Sequence, residues 1–181
     1  MFSMVQAGSM GLPFIAVRGL LGTDLLKERP DLKTGPNPFH PGEEVVLAEP
    51  LRPDWAVFHA LKADRAGNAI TPGLRNDLMM ARAAKKVIVT CEEIADREIA
   101  LGDSVGNTFL PALDVDFVVH APAGAHPTSC GDTYGVDEKH VRGYIEAANG
   151  ENFRGYLENY IYSPAGEPEY AKKVKARGDQ R

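Results

Sequence analysis

Residues 86–94 read KVIVTCEEI, a run rich in β-branched residues that has the length of a buried strand and ends in two carboxylates, Glu92 and Glu93. The residues before it, DLMMARAAK over 77–85, are alanine-rich and amphipathic, which predicts a helix with Asn76 as its N-cap. A helix followed by a buried strand is the unit of an α/β fold, and such folds bind ligands beyond the carboxyl ends of their parallel strands. The sequence therefore predicts a functional site near Glu92 and Glu93.

Composition and charge limit the kinds of protein that this chain can be. Its 181 residues fit one domain, 1–181, and a formal net charge of −5 argues against a broad nucleic-acid surface. No apolar run approaches the roughly 20 residues that a membrane helix needs, and the N-terminus lacks the features of a signal peptide. The two cysteines, Cys91 and Cys130, are too few for a disulfide framework and form no CxxC pair. We expect a cytoplasmic protein without a structural zinc ion.

The rest of the chain alternates strands with turns and helices. Most predicted strands are apolar on both faces, which is typical of a mostly parallel sheet covered on two sides. A proline-rich segment, residues 29–42, is predicted to be a loop. The predicted strands cover 12–18, 44–48, 54–60, 86–91 and 115–120, a short helix ends near Lys27, and three C-terminal helices cover roughly 137–148, 150–162 and 167–177.

Two local features accompany this pattern. Asp137 is placed to cap the first C-terminal helix. Near the end of the chain, basic residues are predicted to form a solvated helix face that complements the helix dipole; they are Lys172, Lys173, Lys175 and Arg177.

Several separate blocks resemble the A subunit of family I CoA-transferases, closest to the glutaconate CoA-transferase type. Their order and spacing agree over residues 8–130. The blocks are GLPF (11–14), VRG (17–19), GTDL (22–25), NPF (37–39), PGE (41–43), DRAGN (64–68), AAK (83–85), VTCEEI (89–94), AP (121–122) and GAHP (124–127).

The resemblance implies a three-layer α/β fold similar to that of sugar-phosphate isomerases, with this chain as the C-terminal part of the family domain, lacking the N-terminal third. It also implies a partner B subunit, often in an A2B2 assembly, which supplies the glutamate that attacks the acyl-CoA thioester. Coenzyme A and acyl-CoA enter as substrates, together with a carboxylic acid, and no tightly bound cofactor is expected. Because the missing strands would leave sheet edges unpaired, we also expect an oligomer.

The first group of candidate substrate-binding residues follows the first predicted strand. Arg18 can hold a substrate carboxylate through its guanidinium, and Gly19 and Gly22 allow a ligand to approach the backbone beside Thr23. A related steroid-ring-opening branch of the family resembles this chain in placing an arginine here. The alternative is that Arg18 forms a structural ion pair, for example with Asp24.

The second group lies near the carboxyl ends of later strands. Glu92 and Glu93 can act as bases or line the pocket, or one can cap the next helix while the other is solvated. His126, in the GAHP block, can contact substrate or the partner protein, or be hydrogen-bonded inside its loop. His59 and His120 are interpreted as groups at the edge of the core, and no pair of histidines has a ligand spacing, so no metal site is predicted.

Three functions follow, in order of preference. The first is the A subunit of a CoA-transferase that acts on a dicarboxylate such as glutaconate. The second is part of an acyl-CoA ring-opening hydrolase of the same fold. The third is a non-catalytic assembly module. Independently of these functions, the DRAGN turn at 64–68 either satisfies turn geometry or contacts the B subunit.

Overall fold

The computed structural model describes residues 1–178, with the side chains of Glu167 and of residues 175–178 excepted. Its larger sheet has five strands in the order β7-β5-β4-β6-β8. These strands are β4 (Trp55–Asp64), β5 (Ala69–Thr71), β6 (Lys86–Ala95), β7 (Thr108–Leu110) and β8 (Phe117–His120).

The predicted α/β class is confirmed, and the three longest predicted strands of the second half are all present. β4, β6 and β8 are parallel, in the register Val57↔Ile88 and Ile88↔Phe117. β5 and β7, which were not predicted, are antiparallel to their neighbours. The parallel arrangement therefore holds for the three strands that carry the predicted polar residues.

A second, smaller sheet is antiparallel, in the order β1 (Ile15–Val17), β3 (Glu44–Ala48) and β2 (Lys33–Pro36). The prediction of a loop throughout residues 29–42 was wrong at β2, whose Lys33 pairs with Leu47 of β3. Proline is tolerated at Pro36 because β2 is an edge strand, where a missing N–H costs no ladder hydrogen bond.

One face of the larger sheet is covered by helices. α3 (Asp77–Ala83) packs on this face, and α1 (Phe2–Ser9) packs against α3. Asn76, the predicted N-cap of α3, makes no side-chain capping bond. The core beneath α3 is built from small and β-branched residues, including Ala60, Ala81, Val87, Val89 and Cys91. On the opposite face, residues at alternate positions of β4 and β8 are exposed.

The remaining helices are short or C-terminal. α2 (Leu25–Glu28) follows β1, and the predicted C-terminal helices are present as α4 (Glu138–Asn149), α5 (Phe153–Leu157), which continues into a π-helical turn (Glu158–Tyr162), and α6 (Glu167–Gly178). Asp137 caps α4 as predicted, since its Oδ1 accepts a hydrogen bond of 2.8 Å from the His140 backbone N–H. Within residues 1–178, none of the helices is long and apolar enough to cross a membrane.

Among the basic residues predicted to form a helix face near the end of the chain, Lys173 donates hydrogen bonds to the Asn159 carbonyl and the Ser163 hydroxyl. The side chains of Lys175 and Arg177 lie outside the described residues. Cys91 and Cys130 are both free and buried.

The turn between β4 and β5 is held by one carboxylate. Asp64 is 2% exposed and accepts hydrogen bonds from the backbone N–H groups of Ala66, Gly67 and Asn68, each at 2.9 Å. Its second oxygen accepts from the Asn68 side chain and from the Ile99 N–H. The prediction of a turn at 64–68 is confirmed, and Gly67 supplies the positive φ of 109° that it requires.

Candidate functional site

Glu92 lies near the carboxyl end of β6 and is the centre of a buried polar group. Its Oε1 accepts hydrogen bonds from the Tyr134 hydroxyl at 2.6 Å and from His59 Nε2 at 2.5 Å. Its Oε2 accepts from the Ala123 backbone N–H at 2.7 Å. Only 11% of the Glu92 side chain is exposed, so both carboxylate oxygens have fixed directions. We call Glu92, His59, Thr90 and Tyr134 the Glu92 group.

Strand register explains why His59 and Glu92 meet. His59 of β4 pairs with Thr90 of β6, so the two side chains lie side by side on one sheet face, and Glu92 lies two residues further on the same face. His59 Nδ1 lies 2.8 Å from Thr90 Oγ1. Because Nε2 faces a carboxylate, it carries the ring proton that is donated to Glu92.

The loop over residues 121–135 covers this group. Ala123 and Tyr134, at its two ends, both donate to Glu92, and the Tyr134 oxygen also accepts from the Ala125 N–H at 3.0 Å. Gly124 lies directly against the imidazole, since a Cβ there would be 2.7 Å from His59 Cε1. Glycine is therefore required for the loop to lie this close to His59.

Electrostatics keep the Glu92 carboxylate ionised. Burial raises its pKa, but the hydrogen bonds from Tyr134, His59 and Ala123 lower it by more, so the pKa of Glu92 lies below its ordinary value. Burial, followed by the hydrogen bond to Glu92, raises the pKa of Tyr134 well above its ordinary value, which keeps the phenol a donor. Burial and the Glu92 charge likewise raise the pKa of Cys130 and keep that thiol protonated.

A cleft of about 780 Å³ opens beside Glu92. Its walls include Lys62 and Glu93 from the strand ends, Asn107, and Thr133 of the loop. Lys62 Nζ lies 3.0 Å from a Glu93 oxygen, and both side chains are about half exposed. The cleft therefore offers one buried carboxylate and an accessible ion pair to a ligand.

A second polar cluster lies behind the loop, where the C-terminal helices begin. His126 Nδ1 is 2.7 Å from the Tyr170 hydroxyl, and His126 Nε2 is 3.2 Å from Asp137 Oδ2. The His140 backbone N–H, then His126, hold the pKa of Asp137 below its ordinary value. His140 Nε2 is 2.8 Å from the Tyr156 hydroxyl. This cluster joins the loop to α4, α5 and α6.

Two sets of side chains bring potential metal ligands within 4.8 Å of one another: His59, Glu92 and Cys130, and His126, Asp137 and His140. The spacing of the histidines in the sequence did not indicate that His126 and His140 lie together, with ring centroids 4.9 Å apart. In both sets several of the ligand atoms already have hydrogen-bond partners in the protein, which explains the clusters without an ion.

The predicted site residues fall into separate places. Arg18 directly follows β1 of the small sheet, its side chain is 73% exposed, and it pairs with Glu43 at 2.8 Å, so the ion pair foreseen with Asp24 forms with a different carboxylate. Gly19 and Gly22 lie in the open turn after β1, where Thr23 Oγ1 donates to the Leu20 carbonyl. These residues are not among those that line the cleft beside Glu92.

For the later candidates, the structure shows which partners each side chain has. Glu92 is buried at the centre of the site, and Glu93 pairs with Lys62, so neither caps a helix. His126 is hydrogen-bonded beneath its loop, as the second interpretation held. His59, interpreted as a group at the edge of the core, is 15% exposed there and is also a direct partner of Glu92, which the sequence did not indicate. The signal that could have found it is the polar alternation of Thr90 and Glu92 on β6.

Comparisons with known proteins agree with this architecture. The family model described as Coenzyme A transferase matches residues 1–121. The A subunit of 3-oxoadipate CoA-transferase from Pseudomonas knackmussii is 35% identical over 93% of this chain and 59% of its own length. The A subunit of glutaconate CoA-transferase from Acidaminococcus fermentans is 34% identical over 97% of this chain and 60% of its own length. The IpdA subunit of the cholesterol ring-cleaving hydrolase from Rhodococcus jostii is 32% identical over 98% of this chain and 62% of its own length.

Two solved structures are similar as well. The crystal structure of glutaconate coenzyme A-transferase from Acidaminococcus fermentans has a TM-score of 0.86 and 33% identity, covering 97% of this chain and 61% of that one. The crystal structure of a variant of the decarboxylase AibA/AibB has a TM-score of 0.76 and 33% identity, covering 88% of this chain and 57% of that one. This chain therefore spans about 60% of the length of the transferase subunits that it matches.

Proposed function

The chain belongs to the coenzyme A transferase family, and we propose that it works as the A-type part of a two-subunit enzyme that moves CoA between carboxylic acids. The observation that carries the proposal is the 34–35% identity, over 93–97% of the chain, to the A subunits of two CoA-transferases. The names of both relatives denote dicarboxylates, so a dicarboxylic acid such as glutaconate is the proposed substrate class. We also propose a cytoplasmic setting, as the low number of cysteines predicts.

In this proposal the nucleophile comes from a B subunit. A partner glutamate attacks the acyl-CoA carbonyl, forming a mixed anhydride and releasing CoA as thiolate; the thiolate then attacks the glutamyl carbonyl, giving a glutamyl-CoA thioester and the free acid. A second acid reverses these steps. The geometry supports this division, because both oxygens of Glu92 are committed to fixed donors.

We assign Glu92 a positioning role at the acyl pocket. Its ionised carboxylate fixes the loop at Ala123 and Tyr134, and thereby the wall of the cleft. Lys62 is the cation that lines this cleft and can exchange its Glu93 partner for a substrate carboxylate. Arg18 stays a second candidate for that carboxylate, since it is accessible, although it would have to leave Glu43.

The hydrolase is the less favoured function. The hydrolase relatives are 32% identical or less, below the two transferase relatives, and the hydrolase would need Glu92 or His59 to activate water. An assembly module without catalysis is the remaining alternative. The proposed enzyme needs no metal ion, and CoA takes part as a substrate.

The test is an exchange assay on the complex of this chain with the protein encoded beside its gene. CoA transfer from acetyl-CoA to glutaconate and other dicarboxylates is followed chromatographically. Transfer supports the proposal; release of free CoA without a new thioester supports the hydrolase; a folded complex that does neither supports the assembly module. Replacing the partner's nucleophilic glutamate by glutamine must abolish transfer.

Variants of this chain then locate the substrate. We expect Glu92→Gln to lower the rate of transfer about a hundredfold, because misplacing the wall by one ångström has effects of this size. Glu98→Gln, at an exposed carboxylate away from the cleft, serves as the matched control. Lys62→Ala is expected to raise the KM for the dicarboxylate; if only Arg18→Ala does so, the substrate carboxylate lies at Arg18 instead.

A further inference from the structure

Two histidines and one carboxylate converge where the loop over residues 121–135 meets α4. His126 comes from the loop, Asp137 is the N-cap of α4, and His140 lies in the first turn of that helix. One ligand atom from each of these side chains lies within 4.8 Å of the other two. We call the three residues the His126 set. None of them is among the residues that line the cleft beside Glu92.

The protein holds the His126 set in fixed directions. His140 is 3% exposed, and 14% of the His126 side chain and 34% of the Asp137 side chain are exposed, so an ion can enter at the carboxylate. Tyr170 places its hydroxyl 2.7 Å from His126 Nδ1. In the same way, the Tyr156 hydroxyl is 2.8 Å from His140 Nε2. Outer partners of this kind orient the histidines that bind metal ions in proteins.

The spacing within the His126 set fits a zinc ion. His126 Nε2 lies 3.2 Å from Asp137 Oδ2. Two nitrogen or oxygen ligands of a tetrahedral zinc ion, each about 2.0–2.1 Å from the metal, are about 3.3–3.4 Å apart. The two atoms are therefore close to the separation that a shared ion requires. Two imidazoles and one carboxylate are also a common set of protein ligands for zinc.

The other convergent set, His59, Glu92 and Cys130, does not fit an ion in this way. His59 Nε2 and Glu92 Oε1 are 2.5 Å apart, which is too short for two ligands of one zinc ion. Burial raises the pKa of Cys130, so its sulfur keeps the proton that a metal would have to displace. The geometry therefore favours the His126 set.

We propose that the His126 set binds one zinc ion, which joins the loop to α4. The hydrogen bonds of these side chains satisfy them without the ion and do not prevent binding. When zinc takes the place of a proton on His126 Nε2, the neutral ring keeps its proton on Nδ1, which donates it to the Tyr170 oxygen. The ion takes no part in the proposed transfer of CoA, and the inference stands without that activity.

Zinc binding is measured by titration calorimetry on the full chain without an affinity tag, with the metal alone as the ligand. We expect one ion per chain. At a free zinc concentration about a hundred times the Kd, the Tm should rise by about 5–10 °C. X-ray absorption at the zinc edge should show nitrogen and oxygen ligands at about 2.0–2.1 Å and no sulfur at about 2.3 Å. A chain that binds no zinc overturns the proposal, and so does a sulfur ligand, which would place the ion at Cys130.

Variants show where the ion is bound. His126→Gln and His140→Gln should each weaken zinc binding at least about a hundredfold, and Tyr170→Phe, which removes only an outer partner, about tenfold. His40→Gln changes an exposed histidine outside the set and is the matched control, which should leave binding unchanged. Circular dichroism without zinc checks the fold of each variant, and the absorption spectrum decides if a histidine variant does not fold. Unchanged binding by His126→Gln, or binding that is lost in His59→Gln, overturns the proposal.

Discussion

Replacing Asp64 by alanine should destabilise the protein severely, because one carboxylate holds the turn between β4 and β5. Of its five hydrogen bonds, four are buried: those from Gly67 N–H, Asn68 N–H, the Asn68 side chain and Ile99 N–H. Leaving a buried donor without an acceptor costs about 1–3 kcal/mol. Since water can enter a turn and replace part of the loss, we expect a decrease of about 4 kcal/mol in the free energy of unfolding.

A loss of this size is a large fraction of the roughly 5–15 kcal/mol that is typical of a folded domain. It is measured by urea unfolding followed by circular dichroism, with an expected fall in Tm of about 10 °C for a chain of this length. Asp54→Ala is the matched control, because Asp54 forms an exposed ion pair with Lys85 and should matter little. If Asp64→Ala and Asp54→Ala unfold at the same urea concentration, the assignment of the turn to Asp64 is wrong.

Asp64→Asn separates geometry from charge. The amide keeps one oxygen for the Gly67 and Asn68 N–H groups but turns an N–H₂ towards the Ile99 N–H, so its cost should be intermediate. The pH dependence provides a further check. Burial raises the pKa of Asp64, but its hydrogen bonds lower the pKa by more, so the net shift is downward. The stabilisation by the ionised carboxylate is therefore present above the ordinary carboxyl pKa and is lost as the pH falls through the depressed pKa. Asp64→Asn should lack this acid-dependent loss.

The loop glycine, the buried carboxylate and the two buried thiols of this region can each be tested separately. Gly124→Ala should displace the loop, because its Cβ would lie 2.7 Å from His59 Cε1, and should cost about 1–3 kcal/mol in urea unfolding; unchanged stability would contradict the close approach. The pKa of Glu92 is depressed by its donors, so its contribution to stability should vanish as pH falls below the ordinary carboxyl range, and Glu92→Gln should remove that dependence from the unfolding curve. The thiols of Cys91 and Cys130 are buried and burial raises the pKa of each, so Ellman's reagent at mildly alkaline pH should modify both only on unfolding; rapid reaction of either in the native protein would refute its burial.

Local sequence patterns predicted the longer strands and the C-terminal helices, because their signals are contained in the segments themselves, but not the short strands β2, β5 and β7. The run of β-branched residues at 86–94 and the alanine-rich helix before it are such signals. β2 was missed because Lys33–Pro36 becomes a strand only by pairing with β3. The prolines and glycines of the surrounding segment, residues 29–42, indicated a loop, and the tertiary pairing overrode them.

The site was predicted less completely, because it depends on contacts between distant segments. Glu92 was a candidate from its place at a strand end. The partnership of His59 with Glu92 depends on the parallel register of β4 and β6, which the sequence does not display. In the same way, His126 in the loop and His140 in α4 meet only because the loop folds back on α4.

The loop over residues 121–135 is anchored on two sides, and this has a consequence for how such a chain can change over time. Ala123 and Tyr134 hold it to Glu92, while His126 holds it to Tyr170 and Asp137 in the C-terminal helices. A substitution at Tyr170 therefore alters how the loop is held, and with it the loop's hydrogen bonds to Glu92, although residue 170 makes no direct contact with Glu92. In a set of related sequences, we expect positions 126, 137 and 170 to be replaced together, so that the C-terminal helices and the site are inherited as one unit.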